Sequence, residues 1–337
     1  MRWVMPALYL LVVTAVCLNA SSTDANNHQR LLSLPSANPF AGVQIFEGPE
    51  DHSPRLPVHF DLLARKVPGE VQVVGGEKLD SNSFPATVQS QAAASCTATL
   101  IGPQVLLTAA HCVDAAQKLS SGFPMTVSGT ATFDRPYDLE NCAMPDAYAK
   151  ANPTYTLRPR TAEDWALCKL KSRPTGVRPE VVSLTPPAAN STRYFMLGFG
   201  CSKVERKGGT LVGVDQEGVL RAGTDTLEAV NVGLAGNVGG FAVALAGITG
   251  PSLCPGDSGG GSMTGIDLKS VTAPRSVSMI NSALGSTGEG KDLLLYSYFA
   301  PLGTGLFEAF ARGWATSDPE RRICGIHIPR EQAPCRA

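Results

Sequence analysis

From Val73 onward the apolar residues come in short runs, and no other feature of this chain limits its possible folds as much. Ala86-Thr87-Val88, Thr97–Ile101, Val105–Ala110, Tyr194–Leu197 and Val277–Ile280 are separated by Gly, Pro, Asn and Asp. Runs of this length, punctuated in this way, read as strands of an all-β sandwich or barrel. The 34 glycines and 25 prolines supply the turns without reaching the level of a low-complexity chain. Glycines crowd between Gly208 and Gly261, but neither G-x-x-x-x-G-K-[ST] nor a strand-linked G-x-G-x-x-G is present. Hairpin turns, not a phosphate cradle, account for them. One stretch departs from the pattern: Gly305–Ala315 sets Leu306, Phe307, Phe310, Ala311 and Trp314 on one helical face, a stripe that would pack onto a barrel.

With 337 residues the chain has room for two modules with cores of their own. Its charged fraction of 17%, beside 43% hydrophobic residues, excludes an acidic disordered tail or a charged coiled coil. The 28 basic residues balance 29 acidic ones, and no Lys/Arg cluster is longer than two. A nucleic-acid partner is therefore not expected, because binding to phosphates needs a concentrated positive surface.

Arg2 precedes an apolar run from Trp3 to Leu18, after which Asn19, Ala20, Ser21 and Ser22 turn small and polar. This reads as a signal peptide, residues 1–20, and implies export with no further membrane association. Residues 21–72 hold His28, His52 and His59 and no cysteine, and read as a pro-segment. Loss of the signal removes Cys17 and leaves Cys96, Cys112, Cys142, Cys168, Cys201, Cys254, Cys324 and Cys335. An even set in an exported chain points to disulfides, and no C-x-x-C spacing suggests a metal site. Sequence alone allows 105 pairings of eight cysteines.

Three local patterns carry the chemistry. Thr108-Ala109-Ala110-His111-Cys112 ends an apolar strand, Asp164-Trp165-Ala166-Leu167 opens another, and Cys254-Pro255-Gly256-Asp257-Ser258-Gly259-Gly260 forms a glycine-rich loop. With Val73-Val74-Gly75-Gly76 they closely resemble the trypsin/chymotrypsin-like serine proteases, in the chain order His, Asp, Ser that this family has. The resemblance spans residues 73–315 and implies two packed six-stranded antiparallel β-barrels with a C-terminal helix, followed by a tail, residues 316–337.

The residue types suit that chemistry. A serine hydroxyl needs a base that works near neutral pH, and imidazole is that base. The resemblance makes Ser258 the nucleophile, His111 the base and Asp164 the carboxylate that fixes the imidazole tautomer. It makes the N–H groups of Gly256 and Ser258 the oxyanion hole. It pairs Asp257 with the α-amino group of Val73, freed by a cut between Gln72 and Val73, where Gln72 replaces the usual Arg or Lys. Cys96 with Cys112 matches the bridge beside the histidine. Cys142 with Cys168 and Cys201 with Cys254 look like bridges of bacterial members, which leaves Cys324 with Cys335. The substrate pocket is expected at Ser252, Ser282 and Leu284. Serine at 252 cannot select Arg or Lys, so small or medium apolar P1 residues are expected. Protein or peptide substrates and an activating protease are the implied partners, with no cofactor and no metal. The competing readings are a protease-like binding protein or adhesin without catalysis, and an esterase using the same triad.

Overall fold

The computed structural model describes residues 44–45, 60–61, 77–79, 84–90, 96–114, 130–132, 136–152, 161–207, 210–214, 219–233, 240–247, 250–265, 274–288 and 292–335. The expected signal peptide, most of residues 21–72 (the arm expected to be a pro-segment), the Gln72–Val73 bond, and His28, His52 and His59 lie outside the described residues.

The chain opens with short strands β1 (Gln44–Ile45), β2 (Phe60–Asp61) and β3 (Glu77–Lys78). There follow β4 (Thr87–Ser90), β5 (Cys96–Gly102), β6 (Val105–Thr108), helix α1 (Ala110–Asp114), β7 (Thr130–Thr132), β8 (Pro136–Ala143), helix α2 (Asp146–Ala151) and β9 (Ala166–Leu170). The second half holds β10 (Arg193–Gly198), β11 (Lys203–Lys207), β12 (Thr210–Val214), β13 (Arg221–Thr226), β14 (Ala229–Val232) and β15 (Phe241–Gly247). It ends with β16 (Gly261–Thr264), β17 (Ser276–Thr287), β18 (Leu294–Pro301) and helix α3 (Leu306–Ala315).

Two curled sheets result, the double-barrel architecture expected from the sequence. The first is a closed barrel in the order β2-β4-β5-β6-β9-β8-β7. The second is a nine-stranded sheet in the order β14-β15-β18-β17-β16-β10-β13-β3, with β1 added on β17, while β11 and β12 make a separate hairpin. Both sheets exceed six strands because short segments join their edges. Phe60–Asp61 of the arm completes the first barrel, and Gln44–Ile45 of the arm pairs with Gly285 and Ser286.

Period-two alternation explains how continuous apolar runs become strands here. In the first barrel Ala98, Leu100, Leu106, Ala166, Cys168 and Leu170 point inward into one cluster. Their neighbours Ile101, Val105, Leu107 and Leu167 point the other way, into a second cluster shared with Phe195, Leu197, Met263, Val277 and Ile280 of the second sheet. Strands buried on both faces have no reason to alternate polar with apolar residues. The run Val105–Ala110 is shorter as a strand than as a pattern: β6 stops at Thr108, whose hydroxyl donates to the Thr97 carbonyl at 2.8 Å, and Ala110 starts α1.

α3 buries Phe307, Ala311 and Trp314 in the shared cluster, with Phe310 packed against it. Leu306 is 57% exposed, contrary to the expected stripe. It stands one residue before Phe307, about 100° round the helix from the buried line.

The tail beyond α3 is bound in. Ile323 enters the shared cluster, the Cys324 N–H donates to the Ile101 carbonyl at 2.8 Å, and Cys324 is bridged to Cys335. Lys169 of β9 clamps the same region. Its ammonium, on a side chain only 7% exposed, lies 2.7 Å from Asp318, 2.8 Å from Glu320 and 3.0 Å from Glu140. Burial works against that charge, but the three carboxylates outweigh it and hold the Lys169 pKa above its ordinary value. Lys169 in turn holds the Asp318 carboxyl below its own.

Candidate active site

His111 is the second residue of α1, placed by the turn that follows β6. It is 3% exposed and faces Asp164, which is fully buried just before β9. Asp164 Oδ1 accepts the main-chain N–H of His111 at 2.9 Å, while Oδ2 lies 2.8 Å from ring Nδ1. The Ser282 hydroxyl donates to the same Oδ2 at 2.6 Å. A carboxylate beside Nδ1 puts the proton of the neutral ring on that nitrogen, so Nε2 is left with its lone pair. A buried carboxylate is costly unless it is met by donors, and here the N–H, the ring and the hydroxyl meet it.

The Cys254–Gly260 loop is shaped by glycine. Gly256 has φ 103° and Gly259 φ 83°, values that other residues rarely take. Gly259 presses on the turn that carries His111, since a Cβ there would stand 2.8 Å from the Ala109 nitrogen. Thr97 grips the loop twice: its N–H donates to the Ser258 carbonyl at 2.7 Å and its hydroxyl to the Gly256 carbonyl at 2.8 Å. The Cys96–Cys112 disulfide joins the residue before Thr97 to the residue after His111.

Asn281 of β17 holds the loop from the other side. Its N–H donates to the Gly260 carbonyl at 2.9 Å, its carbonyl accepts the Gly259 N–H at 2.8 Å, and its side-chain amide donates to the Asp257 carbonyl at 3.0 Å. Among the described residues no acceptor takes the N–H groups of Gly256 and Ser258. The half-buried Ser258 side chain thus sits on a loop that offers two uncommitted backbone donors.

Asp257 is 1% exposed. Oδ1 accepts the Gly200 N–H and Oδ2 the Cys254 N–H, each at 2.8 Å. Burial pushes its carboxyl up to about 7, against the downward pull of those two N–H groups and of Arg221. Val73, its expected partner, lies outside the described residues.

Of the expected pocket residues, Ser252 is fully buried, its hydroxyl 3.4 Å from the Leu253 carbonyl. Leu284 is 5% exposed and packs with Cys201, Cys254, Val204, Leu211, Leu293 and Leu295. Ser282 directs its hydroxyl at Asp164 rather than into a pocket. The register of β17 on β18 sets Leu284 opposite Ser297, whose hydroxyl oxygen accepts the Leu253 N–H at 2.9 Å.

Thr97 and Asn281 escaped the sequence reading, and Ser297 was not singled out within Leu294–Ser297, where the remaining wall is expected. Thr97 and Gly256 are 159 residues apart, and Asn281 and Asp257 24 apart, so no local pattern joins them. The four disulfides are Cys96–Cys112, Cys142–Cys168, Cys201–Cys254 and Cys324–Cys335. Cys96 and Cys112 gather with His111 in the geometry of a metal cluster, but their sulfurs are joined to each other. His327 stays in the tail, where its Nδ1 accepts the Ile323 N–H at 3.2 Å. Burial, then Arg312 and Arg322, lower its pKa.

Comparison with family models matches residues 73–290, about two thirds of the chain, to the one described as Trypsin. No curated protein matches the chain.

Proposed function

The chain belongs to the trypsin/chymotrypsin-like family of serine endopeptidases, and on that premise we propose that it is a secreted protease acting through Ser258, His111 and Asp164 after a cut at Gln72–Val73. The observation that carries this reading is the buried Asp164 carboxylate, 2.8 Å from His111 Nδ1 and itself held by Ser282. In the proposed cycle the Ser258 hydroxyl attacks the carbonyl carbon of a peptide bond and passes its proton to His111 Nε2. The carbonyl oxygen becomes an oxyanion between the N–H groups of Gly256 and Ser258. His111 then gives the proton to the departing amine, and the C–N bond breaks. Water repeats the sequence on the acyl-enzyme and regenerates the free hydroxyl.

The buried Ser252 and the bulk of Leu284 support small or medium apolar P1 residues. Four disulfides suit an oxidising compartment, and among the described residues no helix is long and apolar enough to cross a membrane. The cut would give Val73 an α-amino cation for the buried Asp257.

Labelling with an active-site serine reagent tests the assignment. Wild type should be labelled at Ser258, and Ser258→Ala should lose labelling and nearly all turnover, keeping about 10³–10⁴ over water from the remaining groups. Turnover close to wild type in Ser258→Ala would sink it.

A further inference from the structure

Three strands meet β17, which has only two edges. β18 pairs with it from Met279 to Thr287 and so takes one edge over that length. β16 takes the other edge from Ser276 to Ile280. β1, with Gln44 opposite Ser286 and Ile45 opposite Gly285, must lie on this other edge too, in line with β16 and beyond it. Between β16 and β1 the same edge meets the Ser258 loop: the Asn281 N–H donates to the Gly260 carbonyl, and the Asn281 carbonyl accepts the Gly259 N–H. The arm strand and the proposed nucleophile therefore share one edge of one strand.

Alternate residues of a strand turn their N–H and C=O groups to opposite edges. Asn281 turns both to the loop, and the bulge between Asn281 and Ala283 shifts the alternation by one residue. Leu284 and Ser286 then turn theirs to the loop edge. Ser286 meets β1 there and has no exposed surface, while Leu284 has no strand partner on that edge among the described residues. β1 is antiparallel to β17, so from Gln44 to Ile45 the chain runs toward Leu284 and Ser282. Gly285 and Ser282 lie about 10 Å apart along a strand, and the Ser282 hydroxyl rests on the Asp164 carboxylate. The second arm strand, β2, pairs with β4 and β7 in the first barrel. The arm is thus fastened to both sheets, the one that supplies His111 and Asp164 and the one that supplies Ser258.

We propose that the arm, residues 21–72, is a tethered inhibitor, which through β1 occupies the edge of β17 that an extended peptide needs in order to reach Ser258. The proposal rests on the reading of Ser258 as nucleophile. An open strand edge binds an extended peptide through main-chain hydrogen bonds. A peptide lying along this edge with its carbonyl at Ser258 pairs at Leu284 and then meets the positions that β1 holds. Two strands cannot pair with one edge at the same residues.

The cut at Gln72–Val73 changes the strength of this contact and leaves its geometry alone. While joined to the chain, the arm competes with substrate at an effective concentration of about millimolar. Once cut, it is held by its strands only, since residues 21–72 contain no cysteine that could tie it by a disulfide. Activation then has two stages, the cut and the departure of the arm. The departed arm still inhibits, in proportion to its concentration.

The test adds a synthetic peptide of residues 21–72 to enzyme made as the full-length chain, cut at Gln72–Val73 and separated from its arm. Saturating peptide should raise KM for a peptide substrate about tenfold or more at unchanged kcat. The same peptide with Gln44→Pro should be weaker by about tenfold or more, because proline brings no N–H to the ladder opposite Ser286. Labelling of Ser258 separates a blocked edge from a distorted loop. A peptidyl phosphonate, which lies along β17, should be slowed by the arm peptide, and phenylmethylsulfonyl fluoride, which is too small to reach β1, should react at its unhindered rate. A lowered kcat at unchanged KM, equal inhibition by the Gln44→Pro peptide, equal slowing of both reagents, or consumption of the peptide as a substrate would overturn the inhibitor.

The full-length uncut chain carrying Ser258→Ala supplies a measurement that needs neither the cut nor turnover. Its Ser286 amide should exchange with deuterium about tenfold faster, or more, when Gln44→Pro is added, while amides of β5 and β6 keep their rates. An unchanged Ser286 rate would overturn the contact of arm and edge. Faster exchange in Gln44→Pro, together with a cut wild-type enzyme that neither hydrolyses peptides nor labels at Ser258, would overturn the nucleophile assignment and leave the strand contact standing, so the two failures are distinguishable.

Discussion

Three donors converge on the Asp164 carboxylate, and the Ser282 hydroxyl is the shortest of them at 2.6 Å. Ser282→Ala should lower kcat by about tenfold to a hundredfold with little change in KM, since a hydrogen bond to a charged group contributes about 1.5–3 kcal/mol. An unchanged kcat in steady-state kinetics would show that His111 and the backbone N–H suffice to hold Asp164. Ser252, the proposed pocket floor, yields a different expectation. Ser252→Asp should fail to create efficient Arg or Lys cleavage, because Leu284 occupies the proposed wall and position 252 is fully buried. Peptide-library profiling checks this, and wild type should favour small apolar P1 residues. A wild-type preference for Arg or Lys would show that the pocket floor lies elsewhere.

Among the elements, α3 and the tail are held by an ionic clamp as well as by apolar packing. Lys169→Met should cost about 1–3 kcal/mol, less than breaking a fully buried pair, because Asp318, Glu320 and Glu140 retain some access to water. The same clamp is acid-sensitive. Asp318 has a lowered pKa, so its contribution is present above the ordinary carboxylate value and is lost as pH falls through the lowered one. Unfolding midpoints of wild type and Lys169→Met should therefore converge in acid; a constant gap would refute the clamp. Strands and α3 were legible in the sequence because each is encoded within a few residues: β5 and β6 by apolar runs with turn residues between them, α3 by spacing. Tail anchoring was not, since Lys169 and Asp318 are 149 residues apart and look like ordinary surface charges until they are brought together. Likewise His111, Asp164 and the Asp257-Ser258 loop announced themselves by local motifs. Thr97, Asn281 and Ser297 gain their roles only from strand register, which sets them beside the loop from distant parts of the chain.

For the molecule as a whole, processing at Gln72–Val73 should add stability in a defined pH range. An α-amino group has an ordinary pKa of about 7.7–8.0, and a carboxylate partner raises it. The gain is then fully present below the ordinary value and is lost as pH rises through the raised one. Midpoints of processed chain and of precursor blocked by Val73→Pro, both carrying Ser258→Ala, should differ at pH 7 and approach one another in alkali. A difference independent of pH would remove Val73 from the Asp257 site. Activity of the processed enzyme should decline over the same alkaline range. β17 connects these scales. Along its length Asn281 fastens the Asp257–Ser258 loop, Ser282 fastens Asp164, Leu284 stands opposite Ser297 as the proposed wall, and Gly285 and Ser286 receive β1. Slippage of a strand by a single residue exchanges its two faces. Loop, carboxylate, wall and arm would all lose their partners in that one movement, so this ruler admits no half-correct setting: the protein cannot trade selectivity for speed by sliding β17, and heating should extinguish both at the same temperature.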